Sequence, residues 1–201
     1  MFDHRLSAFE QTVTIIHPGE YLVSREDIII STVLGSCIAV AMRDEAAGIG
    51  GLNHFMLPGI SGPGDRHSGP EAFATEDAKY GMYAMELLIN DLLREGCRRD
   101  RLRSKVFGGA ALLGFGSQGQ RTVAEENIEF VMDFLETEKI PILATDVGGQ
   151  EARKILFFVK SGKVLLKRIT GTMTKIVNLE ESTYRQRIKS KESGDIVLFA
   201  D

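Results

Sequence analysis

Cysteine is scarce in this chain, with only Cys37 and Cys97 among 201 residues. A small secreted domain held together by disulfides would carry a denser and regularly spaced set of cysteines. We therefore expect a cytoplasmic protein with reduced thiols. Hydrophobic residues make up 43% of the chain, which is enough to build the core of one domain of this length.

An excess of positive charge is also missing, because the formal net charge is -4. Proteins that bind nucleic acid or anionic membranes usually carry a basic patch. The one basic cluster, at residues 98–103, is interrupted by Asp100 and Leu102. No apolar run reaches the length of a membrane span, and the first residues lack the apolar core of a secretory signal. We expect no nucleic-acid partner and no membrane insertion.

Spacings typical of metal and nucleotide sites are absent from the sequence. The four histidines, at positions 4, 17, 54 and 67, belong to no HxxxH pattern, and neither cysteine belongs to a CxxC pair. The glycine pairs at residues 108–109 and 148–149 lack the spacing of phosphate-binding loops, so we interpret both as turns. The sequence predicts no metal and no cofactor.

The chain does contain a cysteine, Cys37, in a position typical of a nucleophile. Cys37 lies on a turn of small residues directly after the β-branched run at residues 28–33, and His54 follows on a later extended segment. A nucleophilic cysteine needs a nearby base and an open turn, so this pair predicts cysteine-dependent acyl chemistry. The alternative is that Cys37 is a small buried hydrophobe and His54 a hydrogen-bonded structural residue.

The pattern of apolar residues predicts a mixed fold. Two amphipathic helices are expected, at residues 75–95 and 122–139, the second opened by a capping box from Thr122 to Glu125. Short apolar segments predict strands near residues 12–16, 28–33, 38–42, 49–54, 104–107, 140–144, 154–159 and 163–169. The expected fold class is α+β, a layered α/β/β sandwich with mostly antiparallel strands and two main helices. A hairpin of the strands at 38–42 and 49–54 would bring Cys37 close to His54.

The chain divides into three parts on composition. Residues 1–18 are expected to form an N-terminal extension that could add a strand, and residues 19–170 the main domain. Residues 171–201 are polar on nearly every face and are expected to form a C-terminal tail. The Gly- and Pro-rich segment at residues 59–70 is either a plain connector or a loop at the rim of a site.

Four short blocks of this sequence, in their order and spacing, resemble the CheD family of chemoreceptor glutamine deamidases. The blocks are residues 34–40, 54–58, 107–110 and 146–149, and the resemblance extends from about Gly19 to Ile169. It implies a cytoplasmic enzyme that converts glutamines of methyl-accepting chemotaxis receptors to glutamates. It also implies an α/β sandwich similar to the catalytic domain of cytotoxic necrotizing factors, with a CheC-type phosphatase as a second partner in some relatives.

The resemblance implies a Cys-His-Thr triad, in which Cys37 is the nucleophile and His54 the base. The third member is ambiguous, because ungapped counting places it on Ser31 whereas the residue type favours Thr32. Successive residues of a strand point to opposite faces, so only one of the two hydroxyls can orient the imidazole. Both residues are kept as candidates.

The predicted reaction is hydrolysis of a glutamine side-chain amide through a Cys37 thioester, with release of ammonia. Backbone N–H groups at the 35–37 turn are candidates for the oxyanion hole. Cys37 is accordingly expected to be alkylated faster than Cys97. Two alternatives are a non-catalytic adaptor that binds receptor helices or a CheC-type phosphatase, and a thiol hydrolase or methylesterase with another acyl substrate.

Overall fold

The computed structural model describes residues 9–57, 76–112 and 122–191. Its helices are α1 (Glu76–Arg94), α2 (Val123–Thr137) and α3 (Thr172–Lys191), and a short 3-10 turn covers Arg99–Arg101. The strands are β1 (Val13–Ile15), β2 (Tyr21–Ser24), β3 (Ile29–Leu34), β4 (Ile38–Asp44), β5 (Ile49–Asn53), β6 (Arg103–Gly108), β7 (Ile142–Val147), β8 (Ala152–Phe158) and β9 (Val164–Ile169). Within these residues no helix combines the length and the apolar character needed to cross a bilayer.

The strands form two sheets, with the orders β1-β3-β8-β9 and β2-β5-β4-β6-β7. Neighbouring strands are antiparallel except for the pairs β1–β3 and β6–β7. The strands expected near residues 154–159 and 163–169 are present as the antiparallel pair β8 and β9. β2 was not predicted, because its four half-buried residues carry little apolar periodicity.

The order of the layers follows from the alternation of side chains along β4, the central strand of the larger sheet. Ile38, Val40 and Met42 pack with the buried residues of α1 and α2. Ala39 and Ala41, which point the other way, pack with residues of β3 and β8 in the smaller sheet. The predicted α/β/β layering with mostly antiparallel strands is therefore present, with α1 and α2 close to their expected positions.

The expectation of only two main helices is wrong, because α3 occupies most of the segment that was expected to be a tail. Among residues 173–188, whose side chains are described, the buried ones are Val177, Glu181, Tyr184 and Ile188, spaced by four, three and four positions on one face. One of these four is charged and the stripe is narrow, so the apolar periodicity is too weak to predict a helix from sequence. The segment at residues 59–70 lies outside the described residues.

Candidate active site

Cys37 lies where the chain passes from one sheet to the other. β3 ends at Leu34 in the smaller sheet, and β4 begins at Ile38 in the larger one. The residues between them, 35–37, therefore bridge the two sheets and form no ladder of their own. Their backbone groups are free to be arranged by other partners.

The glycine-rich block at residues 107–110 forms hydrogen bonds with carbonyl groups of this loop. Gly109 N–H donates to the carbonyl of Cys37 at 2.8 Å, and Ala110 N–H donates to the carbonyl of Gly35 at 2.7 Å. Gly108 has φ 117°, and a Cβ there would collide with the Cys37 carbonyl oxygen, so only glycine fits. This close backbone approach explains the glycine pair.

A buried side chain fixes the remaining carbonyl of the loop. Asn127 of α2 donates from Nδ2 to the Ser36 carbonyl at 2.8 Å and accepts at Oδ1 from Leu57 N–H at 2.7 Å. In a trans peptide the carbonyl and the following N–H point in opposite directions. Holding the Ser36 carbonyl against α2 therefore turns the N–H of Cys37 toward the opposite side.

With their carbonyls held on one side, the N–H groups of Gly35, Ser36 and Cys37 converge on the other. We call these three donors the N–H cradle. All three donate to the carboxylate of Glu181 in α3, at 2.8, 2.7 and 3.1 Å respectively, and the Ser36 hydroxyl adds a fourth bond at 2.8 Å. A concave set of backbone donors is a binding site for an anionic oxygen.

His54 is held beside this loop by backbone contacts. Its neighbour Phe55 pairs with Ile38 in an antiparallel bridge, and the turn at residues 17–20 bonds to His54 N–H and C=O at 2.9 and 2.7 Å. The predicted approach of His54 to Cys37 is present in the structure. One ring nitrogen of His54, Cys37 Sγ and a carboxylate oxygen of Glu181 lie within 4.8 Å of one another.

The hydroxyl that contacts the imidazole belongs to Thr32. Thr32 Oγ1 lies 2.7 Å from His54 Nδ1 and 2.8 Å from the carbonyl of Ile16. A hydroxyl has one proton, and the carbonyl can only accept, so Thr32 donates to Ile16 and accepts from Nδ1–H. This assigns the proton to Nδ1 and leaves the lone pair on Nε2, which is buried without a hydrogen-bond partner among the described residues.

Ser31, the other candidate, is buried but points away from this contact. Thr32 shares its face of β3 with Ile30 and Leu34, which pack in the core between the two sheets. Ser31 lies on the opposite face of the same strand. The geometry therefore supports Thr32 rather than Ser31 as the partner of His54.

Comparisons with known proteins identify the family of this chain. A family model described as CheD chemotactic sensory transduction matches residues 56–168. A probable chemoreceptor glutamine deamidase CheD from Herminiimonas arsenicoxydans is 42% identical over 96% of this chain and 91% of its own length. Proteins of the same description from Janthinobacterium sp. (strain Marseille) and Shewanella oneidensis, the latter numbered CheD 1, are each 44% identical over 96% of this chain and cover 91% and 90% of their own lengths. The chain belongs to the CheD family.

The thiol and the imidazole of this CheD-family site are both uncharged in the conformation described. Burial raises the pKa of the Cys37 thiol well above its ordinary value, and the Glu181 carboxylate raises it further. Burial, with a smaller contribution from His17, lowers the pKa of His54 to about 3. Cys97 is also buried, and its pKa is raised to about 11. Faster alkylation of Cys37 than of Cys97 therefore does not fit this conformation, in which Cys37 is 0% exposed.

The sequence block at residues 146–149 supports the 35–37 loop indirectly, through the glycine-rich block at residues 107–110. Arg153 of β8, which is fully buried, donates to Asp146 Oδ1 at 2.6 Å and to the carbonyls of Asp146 and Gly148. Gly148 N–H in turn donates to the Gly108 carbonyl at 2.9 Å. The second glycine pair thus braces the first, in agreement with its interpretation as a turn.

Sequence reasoning missed Asn127 and Glu181. Asn127 is the polar member of an otherwise apolar face of α2 that includes Ala124 and Val131, and this exception was a usable signal. Glu181 gave no such signal, because acidic residues are common in the surrounding segment. Sulfur, imidazole and carboxylate are donors that zinc accepts, but this carboxylate already accepts four hydrogen bonds. The absence of a metal stays a prediction.

Proposed function

We propose that this chain hydrolyses the side-chain amide of specific chemoreceptor glutamines to glutamate, with Cys37 as the nucleophile. The observation that carries the proposal is that Thr32 bonds to His54 Nδ1 and that a ring nitrogen of His54 lies within 4.8 Å of Cys37 Sγ, beside the N–H cradle. The names of the relatives, which describe chemoreceptor glutamine deamidases, supply the substrate. The proposed location is the cytoplasm, and a CheC-type phosphatase is a proposed second partner.

The proposed reaction has two stages. His54 Nε2 takes the proton of the Cys37 thiol as sulfur attacks the amide carbon, and the N–H cradle stabilises the negative oxygen that forms. The imidazolium then returns the proton to the leaving nitrogen, which departs as ammonia and leaves a thioester on Cys37. Water, deprotonated by His54, adds to the thioester; glutamate leaves and the thiol is restored.

Neutral His54 suits this role because only the uncharged imidazole can accept the thiol proton. Thr32 contributes by holding Nδ1–H, which keeps the lone pair on Nε2 and fixes the plane of the ring. The N–H cradle consists of backbone groups, so its geometry depends on the residues that hold the carbonyls of the loop. We also propose that the α/β/β sandwich is similar in fold to the catalytic domain of cytotoxic necrotizing factors.

Intact-mass measurement of a receptor cytoplasmic fragment tests the proposed function. Incubation with the enzyme is expected to add about 1 Da per converted glutamine, because NH₂ is replaced by OH. A fragment whose methyl-esterified glutamates lose their methyl groups while its glutamines persist would instead identify a methylesterase. A fragment that binds the chain but keeps its mass would identify a non-catalytic adaptor.

Separate substitutions of Thr32 and Ser31 test which hydroxyl positions His54. Thr32→Val keeps the shape of the side chain but removes the acceptor for Nδ1–H, and kcat for glutamine conversion is expected to fall by roughly 10- to 100-fold. Ser31→Ala, on the opposite face of β3, is expected to change kcat less than about threefold. The two kcat values and the imidazole ¹⁵N shifts, which report the tautomer, are the measurements. Two small losses would show that neither hydroxyl positions the ring.

A further inference from the structure

The N–H cradle is occupied by a side chain of the protein itself. Glu181 is 4% exposed, and its two carboxylate oxygens accept all four hydrogen bonds described above. The group at the end of this side chain is the product of the proposed reaction, a glutamate carboxylate. Its oxygens bond to the same N–H groups that stabilise the amide oxygen in the proposed reaction.

We propose that α3 is an intramolecular inhibitor that presents Glu181 as a product-like carboxylate to the active site, so that a substrate helix must displace α3 before Cys37 can react. This inference rests on the proposed function and concerns the regulation of the same site. The substrate it implies is a glutamine carried on the face of a helix, since the residue that now fills the site is carried in that way.

α3 is held over the site by contacts on both sides of Glu181. Three residues later, the hydroxyl of Tyr184 forms a hydrogen bond with the hydroxyl of Tyr80 in α1. The ring of Tyr184 lies against Gly19, where a Cβ would collide with the tyrosine hydroxyl. Val177 and Ile188 extend the same buried face of the helix in the two directions. These contacts place the glutamate above the thiol.

α3 belongs to neither sheet, so it can leave while the hydrogen-bonded ladders of both sheets remain intact. Outside this buried stripe, α3 carries the exposed apolar residues Leu179, at 69% exposure, and Ile176, at 44%. The link to β9 contains Gly171, which has φ 72° and whose missing Cβ would meet no atom within 4 Å. A helix attached by one narrow stripe can dissociate at a cost well below that of global unfolding.

Glu181 also suppresses the nucleophile electrostatically. A carboxylate within 4.8 Å of Cys37 Sγ opposes formation of the thiolate, and Tyr184 and Ile188 of α3 pack in the same buried cluster as Cys37. Removal of α3 therefore exposes the Cys37 thiol and takes away a negative charge beside it. Both changes favour the reactive thiolate. Alkylation of Cys37 reports this opening whether or not the chain acts on receptors.

The first test compares Glu181→Ala with Glu180→Ala, its exposed neighbour on the same helix. Iodoacetamide labelling of the full chain is followed by mass spectrometry, with Cys97 as the internal reference. Glu181→Ala is expected to speed the labelling of Cys37 by about tenfold or more, since each unit of thiol pKa changes the thiolate fraction tenfold. Glu180→Ala is expected to leave the rate unchanged. Unchanged labelling in a folded Glu181→Ala variant would overturn the inference.

The second test uses Glu181→Gln, which places an amide where the product carboxylate lies. The introduced glutamine is expected to be hydrolysed to glutamate by Cys37, with a gain of about 1 Da that the double variant with Cys37→Ala does not show. If the Glu181→Gln variant converts receptor glutamines but keeps its own introduced amide, the product-like placement of this side chain is overturned. If no variant converts receptor glutamines but Glu181→Ala still exposes Cys37, the proposed function fails while α3 remains the group that closes the site.

Discussion

Replacing Cys37 by alanine is expected to abolish conversion of receptor glutamines. The loss should reach roughly 10⁴- to 10⁶-fold in kcat, the range seen when the nucleophile of a covalent mechanism is removed. The reason is chemical, since alanine cannot form the thioester, and water must then attack an unactivated amide in one step. Ammonia release and intact mass of the receptor fragment measure the two products independently.

Cys97→Ala is the matched control for this variant. Cys97 is also a buried cysteine, but it packs in the core between the larger sheet and the helices, whereas Cys37 packs between the sheets. Its loss is expected to leave kcat within about threefold. Circular dichroism establishes that both variants are folded. A Cys37→Ala protein that retains a tenth or more of the activity would contradict the covalent mechanism.

Asn127→Ala is expected to have the second largest effect, on both stability and turnover. The substitution leaves the Ser36 carbonyl and the Leu57 N–H without their buried partner, at about 1–3 kcal/mol for each unsatisfied group. It also releases the Cys37 N–H from its orientation in the N–H cradle. Loss of one oxyanion donor costs about 10²–10³ in kcat, so turnover per folded molecule is expected to fall by that order.

Leu135→Ala separates these two effects of Asn127. Leu135 lies on α2 and is fully buried in the core below the larger sheet, so its truncation should cost about 2–5 kcal/mol without touching the loop. Urea unfolding gives the free energy of unfolding for each variant, and kcat and KM are measured below the transition. If the two variants lose equal activity per folded molecule, Asn127 is structural and does not position the cradle.

The approach of Cys37 to His54 was predictable because it depends on local chain order. Two short strands joined by a tight turn bring the start of one beside the end of the other, and the bridge from Ile38 to Phe55 is this pairing. The choice between Ser31 and Thr32 was not predictable. Both faces of β3 are buried, so its sequence does not show which face looks toward His54.

The parts of the site that sequence reasoning missed come from distant positions. Asn127 bonds to a residue 91 positions earlier, and Glu181 to residues 144 to 146 positions earlier. Local periodicity indicates which face of a helix is buried, but it cannot indicate which loop that face meets. The third helix was missed for a different reason, because the narrow buried face of α3 includes the charged residue Glu181 and gives little apolar periodicity.

The connection between β9 and α3 has only two residues, Thr170 and Gly171. The group that fills the N–H cradle is therefore covalently tethered close to its binding site, and its binding is a unimolecular equilibrium. Dilution of the protein cannot empty the site, and a free small carboxylate would have to compete with an effective concentration of about a millimolar or more. Only a ligand that gains contacts over a surface comparable to α3, as another helix would, can displace it at micromolar concentrations.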